Sequence, residues 1–449
     1  MNIVRRSKYR HVFGTEAKRE NCFDGIQATK TAWDGNFVAA NTKFVAACWA
    51  SGGGGAFAVL PLTSVGKLGV IPLVKGHTGK VLDLAFNPFN PNLIGSSSED
   101  CTAKIWNIPD EGLKEDMKES VQNLNGHKRK VGHIVFHPSA NNVVSTTSAD
   151  YTVKIWDIEK GEEKITTTGP SNIIQSFSWN MDGSQFAISA KDKKLRIYDP
   201  RADTSPIAET EAHTGVKGFR VVWLTDKDKI FTVGFSRTSD RQFAIWDPRE
   251  MEKPLSTMNI DTSSGVIMPF YDPDTSVLYL AGKGDGNIRY YEMIDEPPYY
   301  YALSEFKSSV PTHGMAMAPK LACDVNSCEI ARAYKMANNM IQPIPFVVPR
   351  KSDFFQDDIF PPTFGMEPGM TADEWFEGGN NLPEKISLEG GFVQPEIKAE
   401  FKPEKQTDTP TLEITDPVLL REKLEKAEKT IKAQEKRIAD LEAALKAKN

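Results

Sequence analysis

Cysteine is scarce: five residues in 449, scattered at positions 22, 48, 101, 323 and 328. That excludes a disulfide framework. Cys323 and Cys328 have no second pair or histidine cluster to complete a tetrahedral metal site, so they read as structural thiols. No apolar run approaches the length of a membrane span, and the opening MNIVRRSKYRHVF lacks a signal-peptide core. The expectation is a soluble protein of the cytoplasm. No strong charge excess is present either, since the net charge is −6, and a nucleic-acid role lacks the basic surplus it needs. Catalytic signatures are also missing. Gly52–Gly55 is followed by no Lys-Ser or Lys-Thr and reads as a hairpin turn, not a phosphate loop. Asp285 in KGDGN lacks the ligand spacing of a calcium loop. No nucleophile elbow or metal-ligand spacing occurs, so no enzyme, cofactor or metal is expected.

What is present is a repeat. Asp100 and Trp106, Asp150 and Trp156, Asp192 and Tyr198, Asp240 and Trp246, and Asp285 and Tyr291 are each six residues apart. They sit in EDCTAKIW, ADYTVKIWD, KDKKLRIYD, DRQFAIWD and GDGNIRYY, with aromatics recurring at intervals of 50, 42, 48 and 45 residues. Short strands with an Asp-bearing turn at this period mark a β-propeller. Weaker copies place Leu60 and Tyr334 at the aromatic position, which brings the count to seven units between about residue 8 and residue 349. The expected fold is all-β: a seven-bladed propeller with a C-terminal strap and an α-helical coiled coil.

The units resemble WD repeats. Gly-His precedes a first strand at His77 and His127, and Ala-His does so at His213; the first two lie 23 residues before their Asp, the third 27. The resemblance implies a buried hydrogen-bond chain of His, Asp, a strand Ser or Thr, and Trp, satisfied as a set because an unpartnered buried Asp is costly. The third unit has Gly169-Pro170 in place of the His and the fifth has none, so those turns are expected to rest on backbone bonds alone. With His and Asp committed to the fold, a hydrolase built on these residues has nothing to support it.

Charge and aromatic content divide the chain. Residues 1–351 carry 41 basic and 39 acidic groups, residues 352–416 carry 4 and 15, and residues 417–449 carry 9 and 6. The expected domains are a propeller over 1–349, an extension packed on it over 350–394, a flexible acidic linker over 395–416, and a parallel coiled coil over 417–449. From Pro343 onward, Phe346, Phe354, Phe355, Ile359, Phe360, Phe364, Trp375 and Phe376 supply more aromatic surface than a solvated linker needs. The expectation is a strap that buries these rings in grooves of the propeller. TADEW reads as a short helix with Thr371 as its N-cap.

Leu424, Ile431, Ile438 and Leu445 then recur every seven residues, with Leu420, Ala427, Gln434 and Leu441 as the second apolar series. Lys423 with Glu428 and Arg437 with Glu442 are opposite-charge pairs that favour parallel association. Four heptads span about 42 Å at 1.5 Å per residue, a marginal length. Arg437, Ile438, Leu441 and Glu442 resemble the signature of short trimeric coils. A parallel trimer is the preferred reading; a dimer and a solitary docked helix stay open.

Taken together, the chain is identified as a member of the coronin family of actin-cytoskeleton regulators. SKYRHVFG (7–14), WDGNFVAANTKF (33–44), SGGGGAFAVLPL (51–62), GFSRTSDRQFAIWDP (234–248), MPFYDPDTSVLYLAGKGDGNIRYYE (268–292), CEIARAYK (328–335) and above all VPRKSDFFQDDIFPPTF (348–364) carry the likeness. It implies a non-enzymatic protein of the actin-rich cortex that binds and bundles filaments, with the branching complex of actin-related proteins and cofilin as further partners. The coil is implied to supply self-association. In CFDGIQATK (22–30), where many relatives carry an Arg that matters for actin, this chain has Gln27, with Lys30 nearby. The candidate filament contacts are Lys8, Arg10, Lys30, Lys128, Arg129 and Lys130, since actin presents an acidic surface. Lys191, Lys193, Lys194, Arg237, Arg241, Arg350 and Lys351 form weaker clusters; Arg237 and Arg350 have Asp357 and Asp358 as alternative internal partners. The competing reading is a general WD-repeat scaffold that recruits other peptides at the central channel.

Overall fold

A computed structural model describes residues 7–337, 339–351, 354–395 and 401–404. Six four-stranded antiparallel sheets and a seventh, larger one follow each other along the chain. The third blade is representative, with strands Val131–Phe136, Val143–Ser148, Val153–Asp157 and Glu162–Thr166. Its middle strands are buried throughout, while the outer strand is exposed or half-buried. Valine, isoleucine and threonine fill the two-sided core, as expected for strands packed on both faces. The first strands of successive blades contact one another around the ring, and Gly314–Met317 meets Val38–Ala40 to close it. The first strands therefore line a central channel.

The outer strand of the seventh blade comes from the other end of the sequence. Phe13 pairs with Val347 and Phe23 with Ile341, against the strand Met340–Val347. This closure ties the two ends of the propeller together. It also places Phe346 inside a propeller strand, where it packs on Tyr279 and Tyr290, and not in the strap as expected.

The alternation of strands gives the ring two faces. One, here the upper, carries the connections between blades and the Asp-bearing turns; the other, the lower, carries the turns between first and second strands. The segment after residue 353 crosses the lower face. Ile359 and Phe360 are buried with Met268, Tyr279 and Val348. The segment then reaches blades three and four, where Gly369 N donates to Ser139 O and Asn141 N to Met370 O. The helix Ala372–Phe376 follows, with Thr371 and Glu374 forming a reciprocal capping box. Trp375 is fully buried between His137 and Trp179, at 4.7 and 5.8 Å between ring centres, and its Nε1 donates to Gly183 O. Gly183 has φ +70°, and a Cβ there would meet the His137 ring at about 2 Å. Thr363–Phe364 pairs with Lys385–Ile386, and the chain returns to bury Leu388 beside the seventh blade. Phe354, by contrast, is 86% exposed.

Within the segment expected as a flexible linker, residues 401–404 lie against the propeller: Asn107 Nδ2 donates to Phe401 O, and Glu404 N to Glu159 O. Leu424, Ile431, Arg437, Ile438, Leu441, Glu442 and Leu445, the residues of the expected coil, lie outside the described residues.

Candidate functional site

In blades two and three the Asp turns are built as the WD-repeat resemblance implies. His77 Nδ1 lies 2.8 Å from Asp100, its Nε2 lies 2.8 Å from Ser96 Oγ, and Trp106 Nε1 donates to the same hydroxyl at 2.8 Å. His127, Asp150, Thr146 and Trp156 repeat this with distances of 2.8–2.9 Å. Burial works against charge on Asp100 and Asp150. The hydrogen bonds from His77 and His127, joined by those from Thr102 and Thr152, nevertheless hold both carboxyls well below the usual range. The residue after each Asp, Cys101 or Tyr151, takes a positive φ of 71° or 73°. The side-chain network offsets the cost of that backbone.

The other three turns differ from expectation. Asp192 is not held by backbone bonds alone: Arg196 clamps it with two bonds of 3.0 and 2.8 Å and also reaches Glu209 at 3.0 Å. Asp285 is likewise held by a side chain, the Arg241 guanidinium at 2.7 Å, and Arg241 also donates twice to Asp261 at 2.6 Å. Arg241 is thus buried and fully engaged, which removes it from the binding candidates. His213 reaches Thr232 at 2.9 Å, and Trp246 completes that link, but its other nitrogen meets Gln242, not Asp240. The cause is loop length. Five residues separate Phe235 from Arg241, against three between Ser98 and Thr102, and Asp240 turns to Ser236 and Thr238.

The basic candidates divide between the faces. Lys8 and Arg10 are exposed and precede the closing strand at its lower end, where Lys8 Nζ donates to Asp358 O of the strap. Lys30 follows that strand at its upper end, beside Trp49 through the Ala28–Trp49 bridge. Lys8 and Lys30 therefore do not form one patch. Gln27 is exposed on the upper side, and its carbonyl accepts from Ala50 N. Lys128 and Arg129 project freely from the connection between blades two and three, while Lys130 Nζ lies 5.0 Å from the Trp33 ring centre. Lys194 is paired with Glu209, and Arg350 with Asp358 at 2.7 Å.

Sequence reasoning named the central channel only in its competing reading, and of the cations at the upper mouth it singled out Lys191 alone. Trp33, Gln175, Lys217, Arg220 and Lys283 line a pocket of about 540 Å³ there. Only the cation-rich lining, spread over distant repeats, could have signalled it. Among the described residues, no group of three or more His, Cys, Asp or Glu is placed to hold a metal ion, and no helix is long and apolar enough to cross a membrane.

Three comparisons bear on these observations. Residues 69–107, 118–157 and 161–199 match the model of a WD domain, G-beta repeat. Residues 341–383 match a type of WD40 repeat, and residues 2–67 match a domain of unknown function. Coronin-A of Dictyostelium discoideum is 51% identical over 444 residues, covering 99% of this chain and 98% of that protein. The crystal structure of the WD40 domain from Toxoplasma gondii coronin superposes with a TM-score of 0.80 at 32% identity, covering 86% of this chain and 98% of that one. A chain of a mitotic checkpoint complex structure shares the fold at TM-score 0.56 and 14% identity, covering 74% and 96% of the two chains.

Proposed function

This chain belongs to the coronin family, and on that premise we propose that it binds actin filaments through the upper face of its propeller. The observation that carries the reading is the division between faces. The strap occupies the lower one, while Lys128, Arg129 and Lys30 stand exposed on the other. Lys130 is braced on Trp33 and gives the cluster a fixed base. Exposed lysine and arginine beside an acidic filament attract it over roughly one Debye length, about 8 Å at physiological salt. Lys8 and Arg10 belong to the strap side and are not part of this contact. Gln27 lies at the edge of the upper face, so Gln27→Arg is expected to tighten binding.

In this proposal the protein is a binding and bundling component of the actin cortex, not a catalyst. Residues 417–449 join copies into a parallel trimer, and linked heads on one filament raise avidity by about 10²–10⁴. Contacts with the branching complex and with cofilin extend the same role. The test is co-sedimentation of full-length protein with actin filaments at two salt concentrations. Reversing charge at Lys128 and Arg129 is expected to weaken pelleting at least five-fold at low salt. Unchanged pelleting by that variant would remove the upper face from the contact.

A further inference from the structure

The upper channel mouth is built around Arg220, a buried cation with no ion-pair partner among the described residues. Arg220 is 6% exposed; its Nη1 donates to Gln175 O at 3.1 Å and lies 3.5 Å from His133 Nε2. Its Nη2 has no hydrogen-bond partner among the described residues, and the same holds for Trp33 Nε1 and Gln175 Oε1 close by. A buried guanidinium is normally paired with a carboxylate, because desolvation without pairing is costly. Among the described residues no carboxylate lies within ion-pair reach, and Asp34 and Asp83 act on Arg220 only from farther off.

The surroundings add to the positive charge. Lys191, Lys217 and Lys283 line the same pocket, against a single acid, Asp34. Deeper in the channel Asp83 accepts from Ile134 N, and burial pushes its carboxyl up to about 7, so it compensates the cations only in part. Burial, with Arg220 next in effect, pushes the Lys283 ammonium down to about 7. An incoming anion would relieve both strains.

The walls are not purely polar. Trp33, Ile173, Phe219 and Val266 line the pocket, and Val216 stands 88% exposed at its rim. A free inorganic anion leaves such walls unused, and a volume of about 540 Å³ exceeds what it needs. The volume falls within the ordinary range for a ligand site, about 300–1,000 Å³.

We propose that this pocket is a binding site for a linear acidic peptide, with a carboxylate inserted beside Arg220 and Lys283 and an apolar neighbour set on Trp33, Phe219 and Val216. The proposal does not rest on the filament contact, since no residue of the KRK run or Lys30 lines the pocket, although Trp33, on which Lys130 is braced, belongs to both. It gives the propeller a second, sequence-reading partner on the same face.

The test measures fluorescence anisotropy of labelled, capped pentapeptide pools with random flanks and a fixed central Glu, Gln or Lys, using full-length protein without actin. The Glu pool is expected to bind at least ten-fold more tightly than the Gln pool, and the Lys pool not at all. Lys283→Met, and separately the doubly substituted Lys191→Ala/Lys217→Ala, should each cost at least five-fold while keeping the thermal unfolding midpoint. Lys191 and Lys217 are exposed, so the double variant carries the test should Lys283→Met fail to fold. Equal binding of Glu and Gln pools would overturn the proposal. So would a Glu preference that both variants leave intact, because the site would then lie elsewhere. Binding of inorganic phosphate at millimolar concentration with no Glu-pool binding would mark a simple anion site and overturn it as well.

Discussion

Arg196→Met isolates the device that replaces histidine in the fourth blade. Arg196 is 2% exposed and Asp192 nearly as sheltered, so the pair is poorly screened. The substitution keeps most of the aliphatic stem and deletes two bonds to Asp192 and one to Glu209. Asp192 is not left bare: Ser171 N and Oγ and Lys194 N still donate to it. Removing one partner of a buried ion pair costs about 3–5 kcal/mol, and the remaining donors place this case near the lower end, about 3 kcal/mol. The matched control is Lys104→Met, four residues after Asp100, where His77 already holds the carboxylate. Lys104 is half-buried and bonds only to Asn123 in the outer strand, so the expected cost is about 1 kcal/mol or less.

Urea unfolding at pH 7, comparing midpoints at constant slope, reads both values. The pH dependence gives a second check. Burial opposes charge on Asp192, but the Arg196 bonds outweigh it and hold the carboxyl below its usual range. A folded value below the unfolded one means the stabilisation is complete above about pH 4 and is lost as pH falls through the folded value. The gap between native and Arg196→Met proteins should therefore narrow between pH 5 and pH 2. Equal costs for Arg196→Met and Lys104→Met, or a gap that widens in acid, would refute the claim that Arg196 does the work of the missing His.

His77→Asn and His127→Asn should each flatten the acid limb of the stability curve, because Asp100 and Asp150 then lose the partner that holds their carboxyls low; urea midpoints at pH 6, 4 and 2 measure it. Trp375→Ala removes a fully buried indole from the contact between strap and blades three and four, a loss of about 3–5 kcal/mol, and limited proteolysis should cut within 350–394 where the native protein resists. Deleting residues 417–449 should abolish most filament bundling at low-speed centrifugation while leaving single-filament pelleting detectable; an unchanged bundle yield would separate bundling from the coil.

The blade count was legible because five units carry, at or near the end of the third strand, an aromatic that the fold buries, Trp106, Trp156, Tyr198, Trp246 and Tyr291, and the same ruler finds the buried Leu60 and Tyr334 in the other two. The strap was read from rings that a solvated segment has no use for; Trp375 is buried against blades three and four, whereas Phe354 is exposed and Phe346 lies in a propeller strand. What the one-dimensional pattern hid was substitution of function across positions. Arg196 occupies the place held by Lys104 and Lys154 in the preceding units, and nothing in a single repeat says that it reaches back four residues to its own Asp. Arg241 is harder still, since it serves the Asp of the following blade. The closing strand was invisible for a similar reason: Phe13 and Phe23 pair with residues more than 300 positions away.

That closure also determines which candidates can act together. The N-terminal segment runs from the lower to the upper face as it pairs with Met340–Val347, so Lys8 and Lys30 are close in sequence yet separated by the thickness of the ring. The strap then covers the lower channel mouth with Thr363, Phe364 and Pro383, over Tyr279 and Lys320. Lys320 is already neutralised there by Asp272. Among the described residues Arg220 and Lys283, at the upper mouth, have no carboxylate partner; Arg220 Nη2 is unpaired and Lys283 Nζ donates to Trp33 O. The two ends of one channel are therefore electrostatically unlike: the lower is covered and paired, the upper open and cationic. Lys128 and Arg129 extend the cationic character of the upper mouth outward over that face. A filament contact on the upper face and an acidic peptide in its central pocket, both proposed, draw on the same asymmetry through different charged residues, so charge reversal at Lys128 and Arg129 should weaken the first while changing the second no more than about two-fold at physiological salt.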